Sequence, residues 1–146
     1  MRYHRKQPCR ECPFRAECIP GYLGPQTGRP ADFINPIAGR VEISPGVFIG
    51  GEPLDVACHM DIDRALRASP DKDVEQLDAD QLQHCAGALL FLVRDCKLPH
   101  DREKVDAMER VEALNKNTKV LGNVREFMAH HTRKLRGSKR STDRCA

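Results

Sequence analysis

The stretch Pro8-Cys9-Arg10-Glu11-Cys12-Pro13-Phe14-Arg15 constrains this chain more than any other. A Cys-x-x-Cys pair closes a tight turn that aims two sulfurs at one point, and two thiolates at that spacing grip a single metal ion. Two sulfurs leave a tetrahedral site half filled. The remaining ligands must therefore come from later in the chain, and whatever supplies them is tied to the front end. The composition makes such a tie useful. With no Trp and only 5% aromatic residues among 146, the chain has few large side chains for a core, and a bound metal adds stability that a small core lacks.

The N-terminus, Met1-Arg2-Tyr3-His4-Arg5-Lys6, is charged and leads into no apolar run, so no signal peptide is expected. The longest apolar block, residues 86–93, is too short to span a bilayer. A cytosolic location and no membrane association are the expectation. In that reducing compartment seven cysteines point to a metal more than to disulfides, and the odd number leaves a thiol over.

Pattern and punctuation predict an α+β chain, mainly α: an irregular, metal-stapled N-terminal region with a small β-hairpin packed on about three helices. A single domain is expected over residues 1–137, followed by a disordered basic tail over 138–146. Residues 1–30 read as a Cys-rich knuckle and loops punctuated by Gly and Pro. Residues 32–38 allow one or two helical turns. Val41 to Ser44, Pro45-Gly46 and Val47 to Gly50 read as a hairpin. Leu54 to Met60 then reads as extended, so residues 41–60 form one hairpin and extended unit. A short helix is predicted over Asp61 to Ala68 and an acidic solvated loop over Asp71 to Asp80. The helical part spans 79–136. Its strongest element runs from about Ala79 to Leu98, capped by Asp78, with Leu82, Cys85, Leu89, Leu92, Val93 and Cys96 at helical spacing. A second helix starts after Asp101. A third begins near Asn123, with Glu126 completing a capping box and Gly137 marking its end.

Five more cysteines are candidates for the metal: Cys18, Cys58, Cys85, Cys96 and Cys145. Cys85 and Cys96 on one helix would lie roughly 16 Å apart, so both cannot bind one ion. Cys96 reads as a core residue and Cys145 falls in the tail. Cys58 and His59 are neighbours in a predicted extended segment, so only one faces the site. Sulfur suits a centre that already has two thiolates, which favours Cys58 and leaves His59 as an alternate. Cys18 and Cys85 then compete for the fourth place. Cys85 would close the longer loop. His130 and His131 read as exposed or partly buried helix residues and not as a second site.

The ordered set Pro-Cys-x-x-Cys-Pro-Phe-Arg (8–15), Pro-Gly-Tyr-Leu-Gly (20–24), Cys-His (58–59), Cys-Ala-Gly-Ala-Leu (85–89) and Cys-Lys-Leu-Pro (96–99) resembles a small group of phage and bacterial proteins. These carry a Cys-x-x-Cys-Pro-Phe/Trp-Arg knuckle, a later Cys-His and a later Cys-Ala-Gly. The resemblance covers about residues 8–101. It implies Cys9, Cys12, Cys58 and Cys85 as ligands and a phage or prophage origin. Cys18 departs from the pattern and stays an alternate. Four thiolates suit Zn²⁺, with a [4Fe–4S] cluster as the alternative.

A closed four-cysteine zinc site has no open position for water, and no serine or cysteine pairs with a histidine in a catalytic pattern. The expected function is therefore a small, non-enzymatic, metal-binding interaction protein whose partner is a host protein or nucleic acid, with no small-molecule substrate. Charge is uneven: residues 55–85 hold eight acidic and three basic side chains, and residues 125–146 seven basic and two acidic. Arg133, Lys134, Arg136, Lys139 and Arg140 are the candidate phosphate contacts. A counter-defence or host-takeover inhibitor, docking through the acidic stretch, is one alternative. A thiol redox sensor using Cys18, or an iron–sulfur sensor, is the other.

Overall fold

The fold is that of a computed structural model, and it is described for residues 1–24 and 28–133. Five helices and one hairpin follow in order: α1 (Pro30–Ile37), β1 (Arg40–Ser44), β2 (Val47–Gly50), α2 (His59–Ala68), α3 (Ala86–Arg94), α4 (Arg102–Leu114) and α5 (Val124–His131). The chain is thus α+β and mainly α. Two short 3-10 turns, Val74–Gln76 and Ala79–Gln81, lie between α2 and α3. Among the described residues no helix is long and apolar enough to cross a membrane. The predicted tail over 138–146, Cys145 and the Gly137 helix stop fall outside the described residues.

The helix starts follow from local chemistry. Pro30 opens α1, where a missing N–H costs nothing. Asp101 caps α4, accepting from the N–H groups of Glu103 and Lys104. Asn123 caps α5 by accepting from the Glu126 N–H at 2.9 Å. Glu126 reaches back to the Gly122 N–H at 2.7 Å, one residue earlier than a capping box would place it.

The core is built on α3, whose residues Ala86 to Leu92 are all buried. Ala107, Met108 and Val111 of α4 join it in one cluster with Ile34 and Ile37 of α1 and Phe127 of α5. The chain makes up for its few aromatics by concentrating them. Phe14 lies 5.4 Å from Phe91, 5.5 Å from Phe127 and 5.9 Å from Phe33, measured between ring centroids. Phe14 belongs to the knuckle motif, so the irregular front end contributes the central ring of the core. A ring at such a point buries area that no smaller residue could replace.

The predicted helix over 79–98 is not continuous. Ala79–Gln81 is a 3-10 turn, and Asp78 caps that turn by accepting from the Asp80 N–H. The chain then extends through 82–85 and restarts as α3 with Cys85 at its N-cap. The extended stretch is held on both sides. The Arg2 N–H donates to the Leu82 carbonyl and the His84 N–H to the Arg2 carbonyl. Across from it, the Cys58 N–H donates to the Gln83 carbonyl and the Cys85 N–H to the Val56 carbonyl, forming a short antiparallel bridge at Ala57 and His84. These bonds outweigh a helical propensity that is weak over so short a segment.

Candidate metal centre

The knuckle is a stack of tight turns. The Cys12 N–H donates to the Cys9 carbonyl at 3.2 Å and the Arg15 N–H to the Cys12 carbonyl at 3.1 Å. The Arg15 side chain folds back over the loop, Nε donating to the Cys9 carbonyl at 2.7 Å and Nη2 to the Pro8 carbonyl at 2.8 Å. The Arg of the motif is therefore a brace. Pro13 offers its carbonyl to Nε2–H of His131 at 2.8 Å, and Nδ1 of the same ring accepts from the Gly21 N–H at 3.1 Å. The Leu121 N–H donates to the Phe14 carbonyl. The knuckle is thus clamped to the end of α5 and to the segment before it.

Cys58 and Cys85 approach the knuckle from the short bridge at Ala57 and His84. Each is the N-cap of a helix, Cys58 of α2 and Cys85 of α3. Two helix N-termini, with their outward N–H groups, therefore meet where thiolate charge would gather. Contrary to the expectation of an extended run through Met60, His59 is already the first residue of α2.

Sulfur contacts run from Cys58 to Cys9, from Cys9 to Cys12 and from Cys12 to Cys85. The last pair is 3.9 Å apart, Sγ to Sγ. The four are not disulfide-bonded. Thiols of Cys12 and Cys58 donate to Cys9 and hold it down to about 2. Cys85 is also lowered, by a hydrogen bond from Cys12, with help from the Ala88 and Gly87 N–H groups. Burial pushes the Cys12 thiol up, and the Cys58 thiol is raised by its hydrogen bond to Cys9 and by burial. The arrangement is a line of contacts and not a closed shell: among the described residues, no group of three or more His, Cys, Asp or Glu side chains forms a ready-made metal site.

Gly87 makes room for this line. A Cβ at Gly87 would sit 2.2 Å from Cys12 Sγ and 3.3 Å from the Phe14 Cβ. The glycine of Cys-Ala-Gly is therefore there for close approach, and its role is packing against sulfur.

The alternates lie nearby. His59 is buried, its Nε2 makes no hydrogen bond, and the Glu11 carboxylate stands 3.9 Å away. Tyr22 meets the His59 ring edge-on, and a Cβ on Gly24, which is at positive φ, would lie 3.4 Å from it. The Pro-Gly-Tyr-Leu-Gly stretch thus packs on this histidine. Cys18 is buried and disulfide-bonded. Cys96, which reads as a core residue from the sequence, is exposed at positive φ, just past the end of α3. His131 is buried, and burial lowers it to about 4. Of the candidate phosphate contacts, Arg133 is exposed. Lys134, Arg136, Lys139 and Arg140 fall outside the described residues.

Sequence reasoning missed a polar fastening beside the centre. Lys104 of α4, itself buried, donates to Asp55 at 2.5 Å and to the Pro53 carbonyl at 3.3 Å. Burial alone would raise the Asp55 carboxyl, but Lys104 holds it below its ordinary value. Tyr3 stacks on His84 and donates to Asp55, and burial together with the Asp55 charge pushes the phenol up to about 12. No local signal marks such a network, because its members come from distant segments. Comparison with known families, curated proteins and solved structures gives no match.

Proposed function

We propose that this chain is a small metal-stapled interaction protein in which Cys9, Cys12, Cys58 and Cys85 hold one Zn²⁺. The observation that carries the reading is the 3.9 Å separation of the Cys12 and Cys85 sulfurs. Zinc–sulfur bonds of about 2.3 Å at tetrahedral angles put neighbouring sulfurs about 3.8 Å apart. A cubane cluster binds each cysteine through a different iron and spreads the sulfurs wider, so one ion fits this spacing better than [4Fe–4S]. Closing the line of contacts into a shell calls for rotation of the cysteine side chains. With four thiolates the ion has no open position, and its role is to fasten the knuckle to the N-termini of α2 and α3.

Recognition then belongs to the exterior, and a protein partner is the better reading than nucleic acid. Many of the described cations are already engaged: Arg5 with Asp61, Arg15 with the knuckle carbonyls, Arg29 with Asp32, Arg102 with Asp106 and Lys104 with Asp55. Cobalt substitution tests the centre. Intense visible d–d bands of a tetrahedral thiolate site, lost in the Cys85→Ser variant, support it, and a weak octahedral spectrum refutes it. A DNA titration tests the partner: tight, salt-dependent binding would overturn the preference for protein.

A further inference from the structure

A cavity of about 380 Å³ is lined from α1, the knuckle, the extended segment 54–57, α2 and the 3-10 turn at Val74. Small-molecule sites begin at about 300 Å³. Among its wall residues Phe14, Leu23, Ile37, Ile62 and Leu82 are buried. Leu54 and Val74, which also line it, are 54% and 47% exposed, so the cavity runs from the interior out to the surface. Water is a poor occupant of such a space, because it needs several polar partners and these walls are mostly carbon. The charged side chains in the wall are two carboxylates, Asp32 and Asp55, and no Lys or Arg lines it. Asp32 is already taken, both of its oxygens accepting from the Arg29 guanidinium. Asp55 is held by one oxygen only. Lys104 Nζ at 2.5 Å, the His84 ring at 3.3 Å and the Tyr3 hydroxyl at 3.4 Å all lie against Oδ1. Among the described residues nothing bonds to Oδ2, so the carboxylate is fixed in place with an acceptor to spare.

We propose that this cavity binds a small apolar amine, its hydrocarbon body on the buried walls and its ammonium donating to Asp55 Oδ2. Three features select that class. The walls reward apolar area. The free acceptor calls for a donor, and a charged donor makes the stronger bond to a carboxylate. An apolar acid of the same size would bring its charge against two wall carboxylates with no wall cation to offset them. A carboxylate accommodates two cations, one at each oxygen, so Lys104 on Oδ1 leaves the ammonium its place on Oδ2. The sequence pattern gives no sign of this site, because its walls come from segments far apart in the chain. The inference goes beyond the zinc reading and does not depend on it, since Asp55 and the apolar wall residues named above are not among the proposed ligands.

Amide chemical shifts of the full, isotope-labelled chain, titrated with 4-phenylbutylamine, 4-phenylbutanol and 4-phenylbutyrate, test this. Metal content is measured on the same samples. The three probes share one body and differ in the end group. Saturable shifts at Phe33, Ile37, Val56 and Ile62 are expected with the amine, at a dissociation constant in the low millimolar range or tighter. The alcohol should bind about tenfold more weakly, and the butyrate more weakly again. Asp55→Asn should remove the advantage of the amine over the alcohol. Because that change also strands Lys104, a second variant stands beside it: Ala57→Leu puts a larger side chain into the wall and should weaken all three probes at least about tenfold. No saturable shift with any probe overturns the proposal. So does a butyrate that binds as tightly as the amine, a response confined to the acidic surface over 71–80, or an Ala57→Leu chain that binds as the parent does.

Discussion

Replacing Gly87 by Ala separates ordinary helix chemistry from the demands of the sulfur centre. Gly87 is the second residue of α3, where Ala is preferred over Gly by less than the about 1 kcal/mol of a helix interior, so the change should still favour an unencumbered helix. Here the new Cβ would lie 2.2 Å from Cys12 Sγ, where non-bonded heavy atoms normally keep about 3.5–4 Å apart. The sulfur must retreat by more than about 1 Å to restore that distance, and it has little room, being fully buried in a loop braced by Arg15. Overpacking of this kind costs about 1–3 kcal/mol. The net expectation is a loss of up to about 2 kcal/mol, or up to roughly 8 °C in unfolding midpoint for a chain of this size. Retreat also pulls Cys12 from Cys85, so bound zinc should fall with it. In a Cys12→Ala background the obstacle is gone, and Gly87→Ala should become neutral or stabilising. Thermal and urea unfolding of the four chains measures this. A Gly87→Ala chain that is more stable than the parent and keeps its metal would refute the reasoning.

Other outcomes follow from the same geometry. Asp55→Asn should cost about 1–3 kcal/mol, reduced from the fully buried case because Asp55 is half exposed, since it strands the buried Lys104 ammonium; Lys104→Met should cost less than Asp55→Asn, since it leaves an Asp55 that can reach water. Urea denaturation distinguishes the two. His131 is lowered to about 4 by burial, so between about pH 6.5 and 4 the unfolded chain takes up a proton that the folded chain refuses. Stability should fall as pH drops through that window, and His131→Gln should flatten that part of the midpoint-against-pH curve. Cys96→Ser should change neither metal content nor unfolding midpoint, because the side chain is exposed and outside the line of sulfurs.

Much of the fold could be read from local signals. The hairpin, the α4 start at Asp101 and the α5 start at Asn123 each have a short-range cause, a turn or a cap. The run over 79–98 misled because apolar spacing alone cannot distinguish a helix from an extended segment that pairs on both edges. Gln83 and His84 are held by Arg2, Val56 and Cys58, and nothing near them in sequence announces those partners. At the candidate centre the knuckle spacing marked Cys9 and Cys12, but nothing local said that Cys58 and Cys85 would both be helix N-caps. The meaning of Gly87 and Arg15 was equally hidden, since each serves a neighbour that only the fold brings close.

Zinc K-edge X-ray absorption on the purified chain tests the central claim most directly. The account predicts one zinc per chain with four sulfurs at about 2.3 Å. A shell containing nitrogen from His59, an iron cluster in place of zinc, or a folded chain that binds no metal would contradict it.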